Sequence, residues 1–275
     1  MESCLMKYFV LNTELKNSCE CNPALFEEAP SLYEVIRVED GIPLFLEDHI
    51  KRFFQSGKLY NKTVPVTERQ IVSRIKAVIE ANGLVTGLIK FIYLNHPVVG
   101  NLFAAWVTPF FFPSNEMALH GVDTLTLSGE RHKPNAKISH QTVRRQADEI
   151  IKTKGVYEVI LVNGNGVVTE GSRSNLFFVK HGILFTAHPK LILEGITRSK
   201  IVSLALNAGI DIFQSEFKLD EIVDMEAAFI TGTTPKVLPV RKIDARLFSV
   251  EHPVVKYLSE SYNHLIRSYI DKFSW

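Results

Sequence analysis

Cysteine is scarce in this sequence, and all three copies, Cys4, Cys19 and Cys21, fall near its start. So few cannot build the disulfide framework of a small secreted domain. Cys19 and Cys21 have no second ligand pair downstream, so reduced thiols are expected rather than a metal site. Long apolar runs are missing too, and none approaches a membrane span. The opening MESCLMKYFVLNTELKNS carries acids early and no unbroken apolar stretch, unlike a secretory leader. Neither sign of charge dominates: 31 Lys and Arg face 30 Asp and Glu, with no basic block. Nucleic acid and other polyanions therefore have no electrostatic footing. Repeats and low-complexity segments are absent. His120, His132 and His140 lack metal-ligand spacing, so no metal is expected. The GNG of NGNG lacks the third glycine and following helix of a dinucleotide loop. Ser172 and Ser174 stand in GSRS, not in a GxSxG elbow, which disfavours acyl-enzyme chemistry. A cytoplasmic protein, bound to neither membrane nor nucleic acid, is what these absences leave.

What is present is a chain of 275 residues, 46% hydrophobic and 22% charged, enough for one large or two modest domains. Strand composition marks residues 7–11, 33–38, 87–95 and 102–109. Helices are predicted over 48–60 and 67–81, the second with Thr67 as N-cap, Gln70 completing a capping box and Gly83 as its end. The segment 111–116, with Pro113, Ser114 and Asn115, is the best linker. Beyond it a helix is predicted over 138–153, then hairpins around NGNG and around His181-Gly182. A helix over 197–207 closed by Gly209, a buried strand over 227–231 and a helix over 254–271 complete a mixed α/β pattern. The reading is two lobes, 1–112 and 113–275, the second carrying most of the chemistry.

Two residues stand out. Lys137, in PNAKISHQ at the mouth of the 138–153 helix, is either a solvated surface amine or an amine with Arg131 and Lys133 nearby to lower its pKa for Schiff-base chemistry. Glu170, in VVTEGSRSNLFFV, ends an apolar strand before a glycine. It is either a turn carboxylate or a partner for a pyridinium nitrogen. GITR starts a helix whose exposed N–H groups favour an anion, and TGTT (231–234) adds hydroxyls after a strand. Arg52 shares a helix face with His49 and offers a fork of donors suited to phosphate, or a solvated surface charge. An amine, a carboxylate and two phosphate-binding turns together describe a site for pyridoxal phosphate (PLP).

In order along the chain, YEVIR, LEDHIKRF, PNAKISHQ, VVTEGSRSNLFFV, ILEGITR and FITGTTPKVLPV resemble the class IV (fold type IV) PLP enzymes. That family includes branched-chain and D-amino acid aminotransferases and 4-amino-4-deoxychorismate lyases. The resemblance implies a small N-terminal α/β lobe and a larger C-terminal lobe with a β-barrel-like core. It implies that Lys137 holds PLP and moves the substrate proton, and that Glu170 pairs with the ring nitrogen. By the same resemblance, Arg52, Ile196, Thr197 and Thr233 bind the phosphate, with Gly232 allowing close approach, and Tyr33 lies near the substrate. It implies a homodimer acting on an amino acid and a keto acid, with an aminotransferase as the leading activity. The lyase comes second, and a catalytically silent binding protein on the same fold third. The chain departs from the family at FEEAPSLYEV and at KISHQT, where His140 replaces an expected asparagine. It departs again at LIKFIYLNHPVVGNLF, which lacks an arginine-rich stretch. These departures bear on the substrate.

Overall fold

The computed structural model describes residues 4–26, 29–131, 134–139 and 142–275. The chain folds as two units. One comprises Met1–Phe111, Ala136–His140 and Ile266–Trp275; the other comprises Phe112–Asn135 and Gln141–Leu265.

The first unit is a six-stranded sheet with two helices on one face. Its elements are β1 (Tyr8–Leu11), β2 (Glu14–Asn17), β3 (Leu32–Glu39), β4 (Ile42–Pro43), α1 (Leu46–Leu59), α2 (Glu68–Asn82), β5 (Gly87–His96) and β6 (Gly100–Thr108). The strand order is β2-β1-β6-β5-β3-β4. Alternation along β3 divides its side chains between two cores. Leu32, Ile36 and Val38 join Ile50 and Phe53 of α1 and Ile71 and Ile75 of α2. Tyr33 joins Phe9, Ile92 and Trp106 on the other face. The α2 caps follow the sequence: Thr67 Oγ1 accepts from Gln70 N, Gln70 Oε1 accepts from Thr67 N, and Gly83 ends the helix at φ 56°. The start of α1 is different. Phe45 stands there in the left-handed region with no side-chain cap, and the Tyr269 hydroxyl accepts from Leu46 N at 3.1 Å instead.

The second unit contains α3 (Asn115–His120), β7 (Val122–Ser128), α4 (Thr142–Lys154), β8 (Glu158–Val162), β9 (Val168–Gly171), β10 (Asn175–Lys180), β11 (Ile183–Ala187), α5 (Ile196–Asn207), β12 (Ile212–Ser215), β13 (Ala227–Gly232), β14 (Lys236–Ile243) and β15 (Arg246–Leu247). The last helix, α6 (Pro253–Lys272), has residues in both units. The sheet order is β12-β11-β10-β13-β14-β7-β8-β9, with β15 on β14. β9, at one end of that order, also lies against β10 and β11, so the sheet curls back on itself in the barrel-like manner expected. Alternate residues of β10, Leu176 and Phe178, pack with Ile160, Val168, Ile230 and Leu238 into one shared core. Both expected hairpins form, with Gly166 at φ 77°, and His181 and Gly182 at φ 51° and 76°.

One expected element moves. The helix predicted over 138–153 begins at Thr142, and Lys137 is not at its mouth. Residues 137–139 instead pair with the backbone at the start of β3: Tyr33 N donates to Lys137 O, Ser139 N donates to Ser31 O, and Leu32 bridges Ile138. The edge of β3 needs partners, and buried Ile138 anchors the segment there. The expected lobe boundary puts these residues in the second lobe, whereas they cluster with the first unit.

Candidate active site

In the first unit, Lys137 sits between Ala136 and Ile138, both buried in the helix-side core. Its N–H donates to Ser56 Oγ at 3.1 Å, and its Nζ lies 5.0 Å from the centre of the Tyr33 ring. The lysine is thus held by backbone on a sheet edge while its amine faces an aromatic ring. Lys133 and His140, its other sequence-noted neighbours, lie outside the described residues.

Arg52 is buried, not a surface arginine. Nε and Nη2 donate to the two oxygens of Glu34 at 2.7 and 2.6 Å, a bidentate pair. His49 Nδ1 lies 2.9 Å from Glu34 Oε2. Burial pushes the Glu34 carboxyl up, but the charge and hydrogen bonds of Arg52, helped by His49, overcome it and hold it down at about 2. Burial pushes His49 below its ordinary value; Glu34 opposes this, and the charges of Arg52 and Lys137 reinforce it. A neutral ring with its proton on Nδ1, donating to Glu34, satisfies both statements. Lys90, a second buried cation, places its Nζ 5.0 Å from the Tyr33 ring centre and 5.6 Å from that of Trp106.

In the second unit, Glu170 is the penultimate residue of β9 and is buried. Oε1 accepts from Arg131 Nη1 at 3.2 Å; Oε2 accepts from Leu193 N at 3.1 Å and Asn175 Nδ2 at 3.3 Å. Both oxygens of this buried carboxylate are thus met, one by a cation and the other by N–H donors. The loop after it is fixed by a second buried carboxylate. Glu158 accepts from Ser172 Oγ at 2.7 Å, Ser174 Oγ at 2.8 Å and Arg173 N at 3.1 Å. Both serine hydroxyls are therefore committed, and neither is poised as a nucleophile. The Arg173 side chain pairs with Asp148 on the surface.

Ile196 and Thr197 form the first turn of α5, whose N-cap, Gly195, brings no side-chain cap. The Thr197 hydroxyl is 3.2 Å from the Tyr262 hydroxyl, and when Tyr262 donates the Thr197 O–H is left to donate elsewhere. Gly232 ends β13 and Thr233 follows in the turn; a Cβ at Gly232 would meet Pro235 at 3.3 Å. Thr231, just before them, has a buried hydroxyl without a hydrogen-bond partner among the described residues. That is the kind of atom a bound polar group would satisfy. The donor set in each unit fits PLP: an amine and an arginine in one, a buried carboxylate paired with an arginine and an uncapped helix start in the other. Among the described residues no cluster of three or more His, Cys, Asp or Glu could hold a metal, and no helix is long and apolar enough to cross a membrane.

Sequence reasoning passes over Lys90, Glu158 and Asn175, and sees Arg131 only as a neighbour of Lys137. Arg131 and Glu170 are 39 positions apart, so no local pattern signals their pairing.

Residues 31–243 match the family model described as amino-transferase class IV. The branched-chain-amino-acid aminotransferase of Pseudomonas aeruginosa is 27% identical over 257 residues, covering 86% of this chain and 83% of that one. The D-alanine aminotransferase of Bacillus licheniformis is 27% identical over 256 residues, covering 86% and 88%. Among solved structures, the branched-chain amino acid aminotransferase of Escherichia coli has a TM-score of 0.85 at 24% identity, covering 95% of each chain. The family match thus defines a class of enzyme, the aminotransferases. Within that class, the chain belongs to the class IV aminotransferase family.

Proposed function

We propose that the chain transfers an amino group between a small amino acid and a keto acid with PLP as cofactor. The observation that carries this is Glu170, a buried carboxylate beside Arg131 with N–H donors on its second oxygen. Such a group is what a protonated pyridine nitrogen needs as its partner. When bound, the cofactor supplies a sink for the electron pair left at the substrate Cα after its proton leaves. Lys137 would provide the amine that holds the cofactor, and its Nζ would accept the Cα proton and return it to the cofactor carbon on the far side of the substrate nitrogen. Arg52, Ile196, Thr197, Gly232 and Thr233 hold the phosphate, with Arg52 kept in place by Glu34. Tyr33, under the Lys137 amine, shapes the substrate side and excludes water from it. The names of the two relatives leave both a branched-chain and a D-amino acid donor open. The family resemblance further supports a homodimer, which light scattering at twice the 31.1 kDa of one chain would register.

The test is a visible spectrum of the purified protein with PLP, followed by titration with D-alanine, L-glutamate and L-leucine. Conversion of the bound-cofactor band by one donor supports the transaminase and identifies its donor. A band that ignores every donor, with pyruvate released from aminodeoxychorismate, replaces it with the lyase. No band at all overturns the PLP reading.

A further inference from the structure

Gly195, which leads the GITR motif, has φ −67°, a backbone conformation open to any residue. Glycine is required there by space. A Cβ would collide with Asn175 Oδ1, well inside contact distance. The same buried asparagine donates from Nδ2 to Leu193 O at 2.8 Å and to Glu170 Oε2 at 3.3 Å. Leu193 N in turn donates to that oxygen at 3.1 Å. Glu170, Asn175 and Leu193 thus close a ring of hydrogen bonds, and the outer edge of the asparagine abuts the N-cap of α5. β10 holds Asn175 rigidly, opposite Thr231 in the ladder with β13.

We infer that Asn175 is a positioning residue that sets the carboxylate of Glu170 and the start of α5 as one piece, acting through Glu170 on the ring nitrogen of the cofactor. The inference rests on the PLP reading above. Its physical basis is that a carboxylate oriented by two N–H donors does not have to reorient when it meets a pyridinium. Losing Nδ2 removes one of the donors that orient Oε2 and loosens the carboxylate against Arg131 and the Leu193 N–H. Filling the Gly195 position has the same effect from the other side, because it drives the asparagine Nδ2 off its acceptors, Glu170 Oε2 and Leu193 O.

The experiment compares binding of two probes to the apoprotein: PLP, and 1-deazapyridoxal phosphate, in which carbon replaces the ring nitrogen. The wild-type protein should prefer PLP by about tenfold or more, the worth of one charge-assisted hydrogen bond. In Asn175→Ala and in Asn175→Leu, whose side chain has a similar outline, that preference should fall to about threefold or less, within a correctly folded protein by circular dichroism. Gly195→Ala should lose the preference as well. Asn175→Ala combined with Gly195→Ala should bind PLP better than Gly195→Ala alone, because the blocking oxygen is gone. Variants that bind both probes more weakly but keep the wild-type preference would reduce Asn175 to a packing residue and overturn the inference. If Asn175→Ala fails to fold, the Gly195→Ala preference decides alone. A wild-type protein that binds no PLP removes the underlying reading, and this one with it. A wild type that binds both probes equally leaves PLP binding standing and overturns the role of Asn175.

Discussion

At the scale of single residues, Lys137, Glu170 and Glu34 make distinct demands. Lys137→Ala should abolish turnover in a transamination assay while leaving the melting temperature close to that of the wild type, because the pairing of 137–139 with β3 uses backbone groups. Glu170→Gln keeps the shape but removes the charge, and kcat should fall about a hundredfold or more in steady-state kinetics. Glu34→Ala removes the carboxylate that pairs with the buried Arg52, and chemical denaturation should register a loss of about 3–5 kcal/mol. Lys137 and Glu170 stand out in the sequence because an amine and a carboxylate each stand inside a recognisable motif. Glu34, Arg131 and Asn175 are not legible in their roles, since each acts by pairing with a residue that only the fold brings near. For Glu34 the distance along the chain to Arg52 is 18 positions, and for Arg131 to Glu170 it is 39. The thiols follow a similar logic. Burial first, then contact with Cys21, push Cys4 up to about 12, whereas Cys19 is exposed. Titration with a chromogenic disulfide at about pH 8 should modify Cys19 quickly and Cys4 slowly.

At the scale of elements, the sequence reports well whatever is decided locally. The Thr67–Gln70 box, the glycine after α2 and the Asn-Gly and His-Gly turns are all visible, because a cap or a two-residue turn is set by its own residues. The helix predicted from 138 starts at Thr142 because its apolar pattern cannot report that the β3 edge claims Ile138. Strand β14 is hard to read for a related reason. Pro239 argues against a strand interior, yet β7 begins at Val122 opposite Val240, so the proline lies beyond the end of that neighbour. The start of α1 is equally hidden, since its cap is a tyrosine 223 positions away. Tyr269→Phe should cost about 1 kcal/mol in denaturant unfolding, comparable to loss of an ordinary N-cap.

At the scale of the whole molecule, the buried pair in the first unit predicts how the protein meets acid. Folded Glu34 titrates at about 2 instead of 4.5, so its contribution is complete above pH 4.5 and is lost as pH falls toward 2. His49 is held below 6.5 in the folded state, so below that pH the unfolded chain takes up a proton that the folded chain refuses. Both effects have the same sign. Urea midpoints measured at about pH 7, 5.5 and 4 should decline throughout, with His49 governing the first interval and Glu34 joining in the second. The pairing of residues 137–139 with β3 has one more consequence. It covers backbone donors and acceptors that would otherwise stand open at the rim of a sheet whose strands are rich in Val, Ile and Phe. Such a rim is a template on which other copies can stack and grow into fibrils. The segment that carries Lys137 is therefore also the one that covers this rim.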